Sequence, residues 1–194
     1  MTGFIKNSRD TGRLMFTLGE LTRVGYNQGM IILGIDPGVA NTGWAILRKK
    51  SPTAINGEAE LIDYGCLTTQ KEKEFASRLG DIFKGIRKLI IKFRPQEMAV
   101  EGLFFAKNVK SAIKVSQAQG VIILAGQQSG LPVVEYTPLN VKITIAGYGR
   151  AQKKQIEIMV AKILGLGKKI RPNHAADAVA VGLTHCFTNE KLKC

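Results

Sequence analysis

Four side chains that suit a divalent cation stand at the ends of apolar segments lying far apart in the sequence. Asp36 ends the run IILGID, and Glu101 ends the short run MAV. His174 and Asp177 precede the run AVAVGLTHCF, whose spacing indicates a buried helix. Because His174 and Asp177 are three positions apart, they share one face of that helix and can address one ion. Carboxylate oxygens suit Mg²⁺, which leaves positions open for phosphate oxygens, so the pattern predicts a cation site.

These residues also have purely structural interpretations. Asp36 precedes Pro37 and Gly38, and all three residue types favour tight turns, so a turn-initiating role is an open alternative. His174 is equally compatible with capping or packing a helix. A buried carboxylate is costly unless it meets a cation or a donor, and this cost favours the ligand interpretation.

Five segments that include these residues carry a resemblance to a known family. GIDPG, VEGLFFAKN, SQAQGVIILA, EYTPLNVK and HAADAVAVGLTHC occur in this order between about residues 30 and 187. In their joint order and spacing, the chain resembles the RuvC family of crossover-junction (Holliday-junction) endodeoxyribonucleases. The resemblance covers nearly the whole chain, although GIDPG alone recurs in other folds.

The resemblance implies a ribonuclease-H-like fold, a homodimer and a branch-migration helicase complex as partner. It also implies Mg²⁺-dependent, symmetric nicking of two strands at a four-way DNA junction, in recombination and repair, with Mn²⁺ able to substitute. In this family Asp36, Glu101, His174 and Asp177 would form the catalytic and metal-binding cluster. Many relatives carry Asp where this sequence has His174, and His is also a family variant.

The chemistry expected of such a cluster follows from charge. Two ions bridged by Asp36 and held by Glu101 and Asp177 would activate a water and stabilise the leaving 3′ oxygen. By resemblance, the products would carry 5′ phosphates. His174 has three open roles, since an imidazole can ligate an ion, position the scissile phosphate or shuttle a proton.

Composition independently indicates a polyanionic partner. The 194 residues suffice for one domain, and 28 Lys and Arg against 15 Asp and Glu give a net charge of +13. Such an excess is typical of nucleic-acid binders, although it would also serve solubility. Three scattered cysteines predict no disulfide framework or zinc site, and hence a cytoplasmic location. No apolar run reaches the roughly 20 residues of a membrane span.

Two segments beside the predicted cluster are candidate DNA contacts. Phe104 and Phe105 are adjacent, so in an extended segment one of them faces away from the core, next to Glu101 and close to Lys107. By resemblance, Phe104 stacks on or wedges apart bases at the crossover. Burial of both rings is the alternative.

The second segment, GYGRAQKK at 147–154, combines glycines with a basic helix start. Glycines allow close approach of a phosphate, and a helix N-terminus favours anions. Together with Lys142 upstream, it predicts a phosphate-contacting surface, with a solvated helix face as the alternative. The basic candidates are Lys142, Arg150, Lys153 and Lys154.

Periodicity predicts a mixed α/β domain at residues 30–188, with a five-stranded sheet and helices on both faces. Residues 1–29 are expected to be a disordered or non-native extension, because the first strand starts directly after Met30, and residues 189–194 a short tail. Strands are predicted at 31–36, 42–48, 59–68, 98–101 and 132–136. Helices are predicted at 73–93, 109–128, 139–145, 152–164 and 175–187. Small residues on the second helix suit either a twofold interface, as the family implies, or helix-on-sheet packing.

Three other functions share part of the pattern. GIDPGVANTG also resembles the phosphate loop of sugar kinases and actin-like ATPases, but those need two such domains and a longer chain. A nuclease of the same fold that acts on another DNA or RNA structure is the nearer alternative. A noncatalytic nucleic-acid-binding module would explain the charge but not the ligand-type residues.

Overall fold

The protein forms a five-stranded mixed sheet. The computed structural model describes residues 29–50, 59–102 and 109–188. The strands are β1 Met30–Asp36, β2 Asn41–Lys49, β3 Ala59–Thr68, β4 Glu97–Glu101 and β5 Val133–Tyr136. Their order is β3-β2-β1-β4-β5, with β1–β2 and β2–β3 antiparallel and β4 parallel to both β1 and β5. This is the predicted sheet. Residues 52–57, for which proline and glycine predict a hairpin loop, lie outside the described residues.

Five helices flank this sheet in the part of the chain that the structure describes, within about two residues of the predicted bounds. The first ends where Arg94 adopts a left-handed conformation (φ 48°) and donates its amide N–H to the Ile90 carbonyl, before Pro95. The third begins with Thr137 and Asn140, which cap each other's backbone. The helices are α1 Phe75–Phe93, α2 Val109–Gln127, α3 Pro138–Ala146, α4 Lys153–Ile163 and α5 Asn173–Phe187.

The sheet separates two apolar cores because successive side chains of a strand point to opposite faces. On β1, Leu33 and Ile35 face α1 and α2, whereas Ile32 faces α3, α4 and α5. Almost every residue of α5 is buried, which explains why its sequence is apolar all round. Helix α5 is therefore the central element of its face, and its first turn lies at the end of β1.

Two glycines allow α5 to lie directly on the sheet. A Cβ built on Gly34 would stand 2.4 Å from the Ala178 carbonyl oxygen, and one on Gly43 would stand 1.9 Å from the His174 carbonyl oxygen. Real Cβ atoms essentially never make such contacts. The glycines thus set how closely the first turn of α5 approaches the end of β1.

A buried polar chain links the other end of α5 to the sheet. The hydroxyl oxygen of Tyr136 lies 2.9 Å from Nδ1 of His185, and Nε2 of His185 hydrogen-bonds the Glu97 carboxylate. The His185 side chain is fully buried. These contacts satisfy polar groups that would otherwise be costly in the core, and they connect β4, β5 and α5.

Among the helices that the structure describes, none is long and apolar enough to cross a membrane.

Candidate active site

Asp36 and Glu101 lie side by side at the ends of adjacent parallel strands. Ile35 pairs with Val100 in the register of β1 and β4, so the next residue of each strand projects beyond the same edge of the sheet. Asp36 is only 9% exposed, and its carboxyl group hydrogen-bonds that of Glu101. In open α/β sheets, sites form beyond the carboxyl ends of such strands.

The first turn of α5 brings His174 and Asp177 to the same place. Nδ1 of His174 lies 2.7 Å from Oδ2 of Asp36. One ligand atom from each of Asp36, His174 and Asp177 falls within 4.8 Å of the others. Three segments far apart in the sequence therefore converge here, and we call Asp36, Glu101, His174 and Asp177 the ligand cluster.

The electrostatics of the ligand cluster favour a bound cation. Burial, together with the charge of Asp177, raises the pKa of Asp36. Burial and the neighbouring Asp36 raise the pKa of Glu101 to about 8. The pKa values rise because crowded, desolvated negative charges lack a counter-charge, and the neutral form is then favoured. A hard divalent cation supplies that charge, and the oxygen-rich donor set with one imidazole fits Mg²⁺ or Mn²⁺.

Lys153 lies within this site rather than on a separate surface. Its Nζ stands 2.5 Å from Oδ2 of Asp177. Partial burial opposes the charge on Lys153, but the hydrogen bond and negative charge of Asp177 outweigh burial and raise the lysine pKa. Lys153 and Lys142 line, with Glu101 and Asp177, a hollow of about 240 Å³. Two of the basic residues predicted to contact phosphate thus border the ligand cluster.

Comparison with known proteins identifies the family. A model of the family described as crossover junction endodeoxyribonuclease RuvC matches residues 32–185. The chain belongs to this family. The resemblance drawn from GIDPG, HAADAVAVGLTHC and the segments between them is therefore confirmed.

Curated relatives match over most of their length. The RuvC of Moorella thermoacetica is 47% identical over 156 residues, which cover 80% of this chain and 90% of that protein. The RuvC of Chloroflexus aurantiacus (strain J-10-fl) is 46% identical over 164 residues, which cover 84% of this chain and 97% of that protein.

Solved structures of RuvC proteins share the fold. Thermus thermophilus RuvC superposes with a TM-score of 0.74 at 36% identity, over 81% of this chain and 94% of that chain. T. thermophilus RuvC in complex with a Holliday junction substrate superposes with a TM-score of 0.75 at 37% identity, over 81% of this chain and 93% of that chain. The yeast mitochondrial Holliday junction resolvase Ydc2, at 11% identity and a TM-score of 0.61, shares the fold alone. The predicted ribonuclease-H-like fold is confirmed.

Five further residues of this RuvC-family chain are predicted to contact DNA. Arg150 and Lys154 are exposed in the loop after α3 and at the start of α4. Phe104, Phe105 and Lys107 lie outside the described residues, so their roles stay predictions. Their segment follows Gly102, whose amide donates a 2.8 Å hydrogen bond to the Tyr136 carbonyl.

Sequence reasoning missed two residues that hold the loop after Asp36, one directly and one through the other. Thr69 binds this loop, and Arg78 of α1 binds Thr69. Thr69 stands in the polar stretch that ends β3, and nothing in that stretch distinguishes it from a surface threonine. A buried threonine whose hydroxyl has partners on two elements is recognisable once the fold is known.

Proposed function

We propose that this protein is a structure-selective endonuclease that resolves four-way (Holliday) junctions by symmetric nicking of two strands, in recombination and repair. The observation that carries the proposal is the ligand cluster, in which Asp36, His174 and Asp177 offer ligand atoms within 4.8 Å of one another beside Glu101. Membership of the RuvC family gives the substrate, since relatives carry the name crossover junction endodeoxyribonuclease.

The ligand cluster would hold Mg²⁺, with Mn²⁺ as a substitute. When bound, such ions lower the pKa of a water and stabilise charge on phosphate and leaving-group oxygens. Asp36 is placed centrally, between Glu101 on the neighbouring strand and His174 on α5. Glu101 must give up its proton to serve as a ligand, so loading of the site releases protons. Nicking would leave 5′ phosphates.

Lys153 and Lys142 would bind the scissile phosphate. Both line the hollow next to Glu101 and Asp177, and the Lys153 ammonium already stands 2.5 Å from Asp177. A phosphate entering this hollow would meet the positive charge of both lysines. Arg150 and Lys154 would extend this charge along the DNA backbone, and Phe104, Phe105 and Lys107 would contact bases and phosphates nearer the crossover.

Helix α2 would supply the surface of a twofold dimer. Its small residues divide between two faces, since Ala118, Ala125 and Gly126 are buried against the protein's own core. The opposite face is exposed and consists of Ile113, Gln117, Gly120, Leu124 and Gln127. This stripe repeats at helical spacing, and Gly120 leaves room for a second helix. A homodimer would present two ligand clusters to two strands. The branch-migration helicase partner and the cytoplasmic location remain predictions.

The experiment that tests the proposal compares three substrates with and without Mg²⁺. Purified full-length protein is incubated with a four-way junction, a linear duplex and an RNA·DNA hybrid. We expect paired nicks with 5′ phosphates in the junction alone, and none when EDTA removes the metal. Preferential cleavage of the hybrid or the duplex would instead favour a ribonuclease-H-like nuclease with another substrate.

A further inference from the structure

The loop that follows Asp36, residues 37–40, is held by two threonines through three consecutive carbonyl groups. The Thr42 hydroxyl donates to the Gly38 carbonyl oxygen at 2.7 Å. The Thr69 hydroxyl donates to the Val39 oxygen at 2.6 Å, and the Thr69 amide donates to the Ala40 oxygen at 3.1 Å. Loop carbonyls at a protein surface are readily satisfied by water, so three consecutive carbonyls bound by protein fix this loop to its neighbours.

Thr69 also connects this loop to helix α1. Its side chain is buried, with the residue 6% exposed, and its hydroxyl accepts a 2.8 Å hydrogen bond from Nε of Arg78. A hydroxyl has one proton to donate, so the bond from Arg78 leaves that proton for Val39. Bonds from a charged donor are stronger than neutral ones. The relay Arg78 to Thr69 to Val39 therefore has one defined direction.

We propose that Thr69, oriented by Arg78, is a positioning residue for the Asp36 carboxylate. Asp36 is the last residue of β1 and pairs with Gly43. Beyond it, the backbone is held in place by the loop contacts rather than by the sheet ladder. Reactive groups must be held to within about 0.5 Å, and a misplacement of about 1 Å can cost about 100-fold in rate.

The inference rests on the proposed function, because it assigns Thr69 an effect on metal loading and nicking at Asp36. The alternative role for Arg78 is a direct contact with a DNA phosphate. A phosphate contact acts on junction affinity and its salt dependence, whereas positioning acts on the rate within the bound complex. The two roles therefore give different results in the same assays.

The test uses full-length variants in single-turnover nicking at saturating protein, with Mg²⁺ titration and junction binding measured in parallel. Thr69→Val keeps the shape but removes the hydroxyl, and we expect a nicking rate about 10- to 100-fold lower and a higher Mg²⁺ requirement, with unchanged junction Kd. Thr69→Ser, which keeps the hydroxyl, should nick at about the wild-type rate. Arg78→Met should lower the nicking rate less than Thr69→Val does. The double variant should nick no more slowly than Thr69→Val alone, because both changes break the same relay.

Thr184→Val is the matched control, since it removes a buried hydroxyl that bonds the Ala180 carbonyl of its own helix, α5. It should change stability but not the nicking rate. An unchanged rate in Thr69→Val would overturn the proposal, as would a loss confined to Kd and its salt slope, or an equal rate loss in Thr184→Val. If Thr69→Val fails to fold, Thr69→Ser and Arg78→Met carry the test. Failure of the proposed function would give a different result, since the wild-type protein itself would then leave the junction intact.

Discussion

Nδ1 of His174 lies 2.7 Å from Oδ2 of Asp36, although the two residues are 138 positions apart in the chain. The contact joins the end of β1 to the first turn of α5. This hydrogen bond opposes the effect of burial, because it lowers the pKa of Asp36. If position 174 is a metal ligand, the same imidazole would serve a bound ion.

His174→Asp tests whether position 174 is a ligand. An aspartate adds a negative charge and replaces nitrogen by oxygen, which shifts preference from the nitrogen-tolerant Mn²⁺ toward Mg²⁺. We expect an active variant with a higher Mg²⁺ to Mn²⁺ ratio of nicking rates. If His174 shuttles a proton, the pH profile of wild-type nicking should have an extra limb that the variant lacks. An inactive variant that folds and binds would contradict ligand equivalence, and an unchanged rate in His174→Ala would indicate a packing role.

Gly43→Ala should separate α5 from the end of β1. The added Cβ would stand 1.9 Å from the His174 carbonyl oxygen, so the helix must move away from Asp36. A shift of this kind should cost about 100-fold in nicking rate, measured in single turnover on a bound junction.

Gly80→Ala provides the control for this substitution. Gly80 lies within α1, and no atom stands within 4 Å of a Cβ built there. Alanine at that position should leave nicking unchanged and stabilise the fold by about 0.5 to 1 kcal/mol. Equal nicking rates in the two variants would show that α5 can shift without harm.

The stability of the metal-free protein should fall as pH rises. The pKa of Glu101 is raised from 4.5 to about 8, so between these values the folded state binds more protons than the unfolded chain. The stability contributed by Glu101 is therefore fully present below the pKa of the unfolded chain, and it is lost as pH rises through the pKa of the folded protein. Mg²⁺ should stabilise the protein more at about pH 8 than at about pH 5, because ligation needs the carboxylate.

Thermal unfolding in EDTA and in Mg²⁺ across this range provides the measurement. Glu101→Gln cannot release the proton, so its metal-free stability should depend less steeply on pH. If the stability of the wild-type protein in EDTA depends on pH no more steeply than that of Glu101→Gln, the pKa of Glu101 is not raised in solution.

His185→Phe should destabilise the fold without changing the chemistry. It removes both hydrogen bonds of a fully buried side chain and leaves the Tyr136 hydroxyl and the Glu97 carboxylate without that partner. We expect a loss of about 2 to 4 kcal/mol in urea unfolding. Tyr136→Phe breaks one bond and should cost about 1 kcal/mol. A nicking rate per folded molecule below wild type would mean that this chain of contacts reaches the active site.

The sheet, the helices and the ends of β1 and β4 follow from local rules. Ile and Leu runs predict the central strands, and apolar residues at helical spacing predict α1 from Phe75 to Phe93. Parallel pairing of β1 and β4 then puts Asp36 next to Glu101 without further information. The proximity of His174 and Asp177 follows from a three-residue spacing on one helix face.

The contacts missed by sequence reasoning depend on how elements pack. Lys153 reaches Asp177 across 24 positions because of the placement of α4 beside α5, which no local pattern encodes. His185 meets Glu97 across 88 positions, and a histidine within an apolar helix gives no indication of its partner. The Thr69 hydroxyl likewise reaches Val39 because β3 pairs with β2, with Thr68 opposite Asn41.

Junction nicking by carboxamide variants tests the ligand cluster most directly. Asp36→Asn, Glu101→Gln and Asp177→Asn keep the size of each side chain but remove its charge. Each variant should bind a four-way junction with nearly wild-type affinity, since basic residues supply most of the affinity. At protein concentrations that saturate the junction and with Mg²⁺ present, each should produce no detectable nicks while wild-type protein nicks both strands. Substantial nicking by any one of the three would remove that residue from the ligand cluster, and nicking by Asp36→Asn would contradict the account at its centre.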